Sequence, residues 1–277
     1  MGATEALVAA ALTDADVPRT LALSAKVGWN QTAEDWRLFI AHGRTIGLFD
    51  RDEGLVATAA ALPYHNGFGY ISMVIVEPAW RRRGLARRLM GECIEILRGQ
   101  GRASLLDATP AGALVYRGLG FVELATMERW EGEGGVGESG AADRLAPNDL
   151  HKLIEADALA FGSQRRFLME DFLARPDTAA WTCDDGYLVM RAGHRAGQIG
   201  PLVATSADAA RVLLATAIAN ARGRVFLDLF ASWPDLAALL ESAGFKRQRP
   251  YMRMALDRVT LPGDLTRLVV AAGPEFG

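Results

Sequence analysis

The sequence predicts an α/β (α+β) protein built as two tandem domains, each a sheet flanked by helices. Three observations predict it. Apolar runs of strand length alternate with amphipathic helical stretches through residues 1–130. A glycine- and acid-rich break, EGEGGVGESGAA, occupies 131–142 and has almost nothing to bury, so it reads as an exposed linker. The same outline then returns, weakly, through 143–277.

In the first half, Ala15 to Lys26 and Gln31 to His42 read as helices, the second opening on a capping-box spacing of Thr32 and Asp35. Arg44 to Asp50 and Leu55 to Leu62 read as strands across a turn at Arg51 to Gly54. Tyr70 to Val76 is nearly all apolar, as a central strand should be. Gly84 to Arg98 is a helix whose Leu85, Ala86, Leu89, Met90, Cys93, Ile94 and Leu97 share one face, and Gly99 stops it. Ala103 to Asp107 is a buried strand, Ala111 to Leu119 a short helix, and Phe121 to Trp130 a strand.

The second half reads as helices at Leu150 to Ala160 and Arg165 to Ala174, then strands at Tyr187 to Arg191 and Gln198 to Ala204. A helix at Ala207 to Ala221, a strand at Arg224 to Phe230, a helix at Asp235 to Ala243 and a strand at Lys246 to Leu256 follow. Leu106-Asp107, a helix and Leu119-Gly120-Phe121 match Leu227-Asp228, a helix and Ala243-Gly244-Phe245. This points to an internal duplication.

Composition narrows the function. A net charge of −3 gives no bias toward nucleic acid or an anionic membrane, and no apolar run reaches the roughly 20 residues of a membrane span. Cys93 and Cys183 lie far apart in apolar contexts, as reduced thiols do, and His42, His65, His151 and His194 show no metal-ligand spacing. Leu7 to Leu12 is apolar but has no basic residue before it, unlike a signal peptide. Ala6 stands where myristoylation after Met1-Gly2 needs Ser or Thr. A cytoplasmic protein, monomer or homodimer, without metal, nucleic-acid or membrane partners, is expected.

The informative segment runs from Val74 to Ala86: a strand, a proline, a short turn and a helix start at Gly84. Free backbone N–H groups and the positive end of the helix dipole meet there, which suits a phosphate or pyrophosphate. Arg81, Arg82, Arg83, Arg87 and Arg88 crowd the same end, where a cation is disfavoured by about 0.3–1 kcal/mol each. A bound anion reverses that sign. The plainer reading is a solvated basic helix start that tolerates the cost.

Arg81-x-x-Gly84-x-Ala86 after a strand resembles the acetyl-CoA signature of the GCN5-related N-acetyltransferase (GNAT) superfamily, Gln/Arg-x-x-Gly-x-Gly/Ala. Tyr116-Arg117-Gly118-Leu119-Gly120-Phe121 resembles that family's Leu-Tyr-x-x-Leu-Gly-Phe stretch, with Val115 in place of the leucine. The resemblance implies two GNAT-like domains, each a mixed, mostly antiparallel twisted sheet flanked by helices. It implies transfer of an acetyl group from acetyl-CoA to a primary amine of a small molecule or peptide. Arg81, Arg82, Arg83, Gly84, Leu85, Ala86 and Arg87 would hold the diphosphate. The backbone of Val74, Ile75 and Val76 would pair with the pantetheine arm, and Thr109 stands where the family often has asparagine. Tyr116 is implied as the acid that protonates the departing thiolate, although a tyrosine on an apolar helix face is also ordinary core.

No general base is evident. Asp107 is the first candidate, with a helix-capping role open beside it; Glu77 or a chain of waters are others. Trp29 and Trp36 fall in the region that forms the acceptor side in this family, and either line an acceptor pocket or pack on the sheet. The second half resembles the degenerate partner of tandem GNAT proteins. It lacks the arginine-glycine loop after Gln198 to Ala204, and Leu240 stands where Tyr116 would correspond, so no second active site is expected. A non-catalytic acyl-CoA-binding regulatory or interaction protein remains the alternative.

Overall fold

The computed structural model describes residues 7–277; the myristoylation reading at Met1, Gly2 and Ala6 lies outside them. Packing divides the chain into two units. One takes in the chain up to Pro63 with Gly67–Ser104; the other takes in Tyr64–Asn66 with Leu105–Gly277.

The first unit opens with a strand that sequence pattern alone misses. β1 (Val8–Ala11), VAAA, is exposed along its length and has no alternation, yet it pairs antiparallel with β2 (Arg44–Asp50) from Val8 opposite Phe49 to Ala11 opposite Ile46. Backbone hydrogen bonds hold it rather than side-chain burial. Between them lie α1 (Val17–Lys26) and α2 (Ala33–His42). The expected capping box is present: Asp35 N donates to Thr32 Oγ1 at 3.3 Å and Thr32 N to Asp35 Oδ2 at 2.9 Å. β3 (Gly54–Pro63) and β4 (Phe68–Val76) complete an antiparallel run with β2. β3 is buried almost throughout, since helices cover both its faces. α3 (Leu85–Arg98) packs on β3 and β4 through Leu89, Met90, Cys93, Ile94 and Leu97, the face expected from its spacing. Each such side chain contributes about 1.5–3 kcal/mol. Gly69 lets the layers close up: a Cβ there would lie 2.4 Å from Leu97 Cδ2. The unit ends with the first residues of β5 (Ala103–Ala108), where Ala103 N donates to Gly67 O at 2.9 Å.

The second unit continues β5 into α4 (Pro110–Arg117), β6 (Val122–Glu133) and β7 (Asp143–Arg144). Next come α5 (Leu150–Phe161), α6 (Arg166–Ala174), β8 (Ala179–Cys183), β9 (Gly186–Arg191) and β10 (Gly197–Ala204). α7 (Ala207–Asn220), β11 (Arg224–Phe230), α8 (Pro234–Ser242), β12 (Lys246–Leu256) and β13 (Leu268–Val270) finish it. The strands stand in the order β5-β12-β6-β11-β13-β10-β9-β8-β7. α7 rests on β8, β9 and β10, and its buried face includes Ala210, Leu213, Leu214 and Ala217.

This order reveals an exchange between the duplicated stretches. β12, from the second half of the sequence, lies beside β5, while β6, from the first half, lies beside β11. The buried charges follow the exchange. Asp107 on β5 takes both its hydrogen bonds from Arg253 of β12, and Asp228 on β11 takes two from Arg129 of β6. Each aspartate of the repeat is therefore neutralised by the arginine of the other copy.

The exchange also changes the reading of 131–142. β6 runs on through Glu133, with Glu131 opposite Phe226 and Glu133 opposite Arg224. Gly134 N then donates to Gly223 O and Gly135 N to Ile218 O. The first part of this glycine-rich stretch is thus bonded chain rather than open linker. Glycine fits there because a Cβ at Gly134 would lie 2.4 Å from Ala221 Cβ. The two packing units meet inside β5, because β6 shares its hydrogen bonds with strands of the second half.

Candidate functional site

The segment Val74 to Ala86, with its arginines and Gly84, lies wholly in the first unit. Strand β4 delivers it, and β4 is not regular. Ser72 sits opposite Ala60 and Ile75 opposite Thr58, so Met73 and Val74 together face one residue of β3, which is a bulge. Met73 adopts φ 54, a left-handed conformation unusual for a side-chain-bearing residue, and Thr58 Oγ1 donates to its carbonyl at 2.8 Å. Val74 and Val76 are half-buried and Ile75 is buried.

After β4 the chain turns through Pro78–Trp80, and Trp80 fastens the turn. Its Nε1 donates to Glu53 Oε2 at 2.7 Å, and the Arg83 guanidinium lies 4.5 Å from its ring centroid. Arg83 also donates to Ala79 O at 3.2 Å, while Arg81 folds back onto Val76 O at 3.2 Å and Arg88 pairs with Glu92 at 3.1 Å. Arg82 and Arg87 are exposed and have no hydrogen-bond or ion-pair partner among the described residues. Arg82 has φ 61 and Gly84 φ 78, so the backbone is left-handed twice within three residues. Turns of that kind gather N–H groups into a concave anion-binding surface.

Gly84 is the N-cap of α3. No side chain caps that end, no acidic residue stands in the first turn, and a Cβ on Gly84 would meet nothing within 4 Å. The first N–H groups of a 14-residue helix therefore end in open space beside two unpartnered guanidinium groups. A diphosphate fits this end: it supplies the acceptors that the N–H groups lack and the charge that Arg82 and Arg87 lack.

Tyr116, Thr109 and Asp107 belong to the second unit. Tyr116 is half-buried on α4, with its ring 6.0 Å from that of Phe121 and against the backbone of Gly112. Thr109 caps α4, its Oγ1 accepting from Gly112 N at 3.2 Å, which leaves the hydroxyl proton to donate elsewhere. Leu240, at the position corresponding to Tyr116 in the repeat, is fully buried core.

Two expectations are corrected. The side chain of Asp107 is fully buried, and both its oxygens accept from Arg253 at 2.9 and 2.8 Å. With both oxygens engaged by Arg253 and closed off from solvent, the geometry gives Asp107 a structural role rather than that of a base. Trp36 is fully buried and its Nε1 donates to Ser24 Oγ at 3.2 Å, so it packs between α1 and α2 and lines no pocket. Trp29, half-buried in the turn between those helices, keeps an accessible edge. Glu77 is held by Lys26 at 2.8 Å. The sequence offered no signal for the Asp107–Arg253 pair, whose members stand 146 residues apart.

The second half shows why it carries no such loop. α7 starts at Ser206, whose Oγ caps Ala209 N at 3.2 Å, with Asp208 in the first turn. That end is already satisfied and repels anions. The parallel strands β10 and β11 pair only where Gly197 to Ile199 meet Val225 to Leu227; beyond that β13 inserts, pairing Val270 with both Leu202 and Leu229. The chain itself fills that gap. Among the described residues, no group of three or more His, Cys, Asp or Glu side chains could hold a metal ion, and no helix is long and apolar enough to cross a membrane.

Comparison with known proteins agrees with both halves. A family model described as "Acetyltransferase (GNAT) family" matches residues 13–121, and one described as "Acetyltransferase (GNAT) domain" matches 153–269. The uncharacterized N-acetyltransferase YitH of Bacillus subtilis (strain 168) is 25% identical over 241 residues, covering 82% of this chain and 83% of that protein. A crystal structure of a candidate acetyltransferase from Pyrococcus horikoshii superposes with a TM-score of 0.85 at 19% identity, covering 100% of this chain and 98% of that one. A tandem GNAT protein from the clavulanic acid biosynthesis pathway superposes at 0.67 with 14% identity, covering 91% and 98%.

Proposed function

Because the chain belongs to the GNAT acetyltransferase family, with two of its domains in tandem, we propose that it transfers an acetyl group from acetyl-CoA to a primary amine of a small molecule or peptide. One observation carries the reading: the uncapped N-terminus of α3 at Gly84, beside the unpartnered Arg82 and Arg87. We place the domain division at 131–142, between the two matched stretches, with the first domain active.

Acetyl-CoA supplies an activated acyl carbon. The N–H groups of the α3 start, with Arg82 and Arg87, bind its diphosphate, and the β4 backbone at Val74 to Val76 aligns its pantetheine arm. A backbone N–H of β4 stabilises the charge that develops on the carbonyl oxygen. The amine attacks in its neutral form, the C–S bond breaks, and Tyr116 gives its phenolic proton to the leaving thiolate and regains one from water. A thiol of pKa about 8.5 already leaves readily, so the acid contributes a limited factor, roughly 10² to 10⁴. Asp107 and Glu77 are held by Arg253 and Lys26, so the amine's proton goes to water.

The test is a thermal shift with acetyl-CoA followed by thiol release over a panel of amines. Acetyl-CoA should raise the melting temperature, and at least one amine should release CoA. Binding without turnover on any amine returns the chain to an acyl-CoA-binding regulatory protein.

A further inference from the structure

The later part of the glycine-rich stretch builds a cleft that acyl transfer does not use. Gly140 lies against α7, where a Cβ would collide with Val212 O and Thr216 Oγ1. Asn220 Nδ2, at the end of α7, donates to Ser139 Oγ at 3.4 Å, and Ser139 Oγ donates to Gly140 O at 3.2 Å. The chain therefore runs along the last turns of α7 before β7 begins at Asp143. Between this stretch, α7 and the strands β7, β8 and β9 lies a cleft of about 480 Å³, formed wholly by residues of the second unit. That volume suits a small organic molecule.

The floor of the cleft is apolar and its rim is cationic. Ala179 stands opposite Met190 across β8 and β9, and Trp181, two residues further on, packs into the core beneath α7. All three line the cleft. Arg144 and Arg222 line it as well, and no carboxylate does. Asp143, the neighbour of Arg144 on β7, turns by alternation to the other face and lines a different cavity.

The two arginines differ from the buried ones of this unit. Arg129, Arg165, Arg191 and Arg253 each pair with a carboxylate. Arg144 and Arg222 make no hydrogen bond or ion pair among the described residues. Arg144 is nonetheless held in place. Its backbone pairs with Trp181 across β7 and β8, and its guanidinium lies 4.9 Å from the Trp181 ring centroid. The indole N–H of Trp181 likewise has no acceptor among the described residues. Guanidinium and indole groups only donate, so their shared complement is an oxyanion, and the planar guanidinium fork suits a carboxylate or a phosphate.

We propose that this cleft is a ligand site for a small organic anion. Its carboxylate or phosphate-monoester headgroup is held by Arg144 and Arg222, and its apolar body lies over Ala179 and Met190. The site shares no residue with the segment Val74 to Ala86, so it does not depend on acyl transfer.

The test is calorimetry on the full chain carrying Gly84→Asp, which keeps an anionic probe from the start of α3. The probes are phenyl phosphate, benzoate, inorganic phosphate and benzamidine. Phenyl phosphate or benzoate should bind, and the tighter of the two names the headgroup. Inorganic phosphate, which lacks the apolar body, should bind at least about tenfold more weakly. Benzamidine, a cation shaped like benzoate, should not bind. Arg144→Gln and Arg222→Gln should each weaken the better anion about tenfold or more, as the loss of a charged hydrogen bond does. Both side chains are exposed, so neither change should lower the melting temperature. Arg211→Gln removes an exposed, unpartnered arginine of α7 outside the cleft and should leave the affinity unchanged. Absence of binding by both organic anions at millimolar concentration overturns the inference. So does an affinity that survives both cleft substitutions, or one that Arg211→Gln reduces equally, since either marks diffuse charge rather than a site. Failure of acyl transfer is read separately, as loss of the acetyl-CoA shift or of turnover in the wild type.

Discussion

Substituting Gly84 with aspartate separates ligand binding from fold stability more cleanly than any other change in the chain. Gly84 has φ 78 and ψ 1, and a side chain there meets no neighbour within 4 Å. The only structural cost is the left-handed conformation, about 1–2 kcal/mol for a residue with a Cβ. Against it, aspartate supplies the cap that α3 lacks, a gain of about 0.5–2 kcal/mol. The two nearly cancel, so Gly84→Asp should melt within a few degrees of the wild type. Its carboxylate, however, stands where the diphosphate would bind. Like charges about 4 Å apart repel by roughly 1 kcal/mol in water and roughly 4 kcal/mol at the effective dielectric of a protein surface. Acetyl-CoA affinity should therefore fall between about tenfold and a thousandfold. In a thermal shift assay, ligand at 100 times its Kd stabilises the wild type by about 2.7 kcal/mol, or roughly 5 °C or more in a chain of this size. That shift should vanish in Gly84→Asp and largely persist in Gly84→Ala, with calorimetry giving the affinities. Wild-type affinity in a folded Gly84→Asp protein would refute the anion-site reasoning.

Other outcomes are expected from the same structure. Tyr116→Phe should lower kcat by up to about 10² to 10⁴ under conditions where chemistry limits, with the acetyl-CoA shift unchanged; unaltered single-turnover rates would remove the acid role. Arg253→Met alone should destabilise the chain by about 3–5 kcal/mol in urea unfolding, because it strands Asp107 as a buried charge, whereas Asp107→Leu with Arg253→Met should recover most of that loss and retain turnover. Loss of all activity in a stable double variant would bring Asp107 back as the base. Burial, with a smaller contribution from Glu92, pushes the Cys93 thiol from 9.0 up to about 12. The folded state keeps a proton that the unfolded chain releases, so this thiol's contribution to stability is complete below about pH 9 and is lost as pH rises toward 12. Iodoacetamide at pH 8 should accordingly leave Cys93 unmodified in peptide maps of the folded protein, and rapid labelling would contradict its burial.

What the sequence by itself determined is whatever depends on neighbours within a few residues. The Thr32–Asp35 capping box, the buried stripe of α3 and the helix start at Gly84 are set by i to i+3 and i to i+4 relations, and all three could be read before the fold was seen. Tertiary structure alone decided the rest. β1 has no side-chain pattern to announce it and exists through its main-chain partner. The exchange of β6 and β12, and the buried pairs Asp107–Arg253 and Asp228–Arg129 that go with it, join residues 146 and 99 positions apart. For Trp36 the sequence left a pocket and packing equally open, and its buried N–H bond to Ser24 selects packing. The physical reason is the same each time. A helix cap or an apolar stripe is a property of one short segment, but which strand fills a sheet position, and which buried charge is neutralised, is a choice among distant partners that only the folded chain makes.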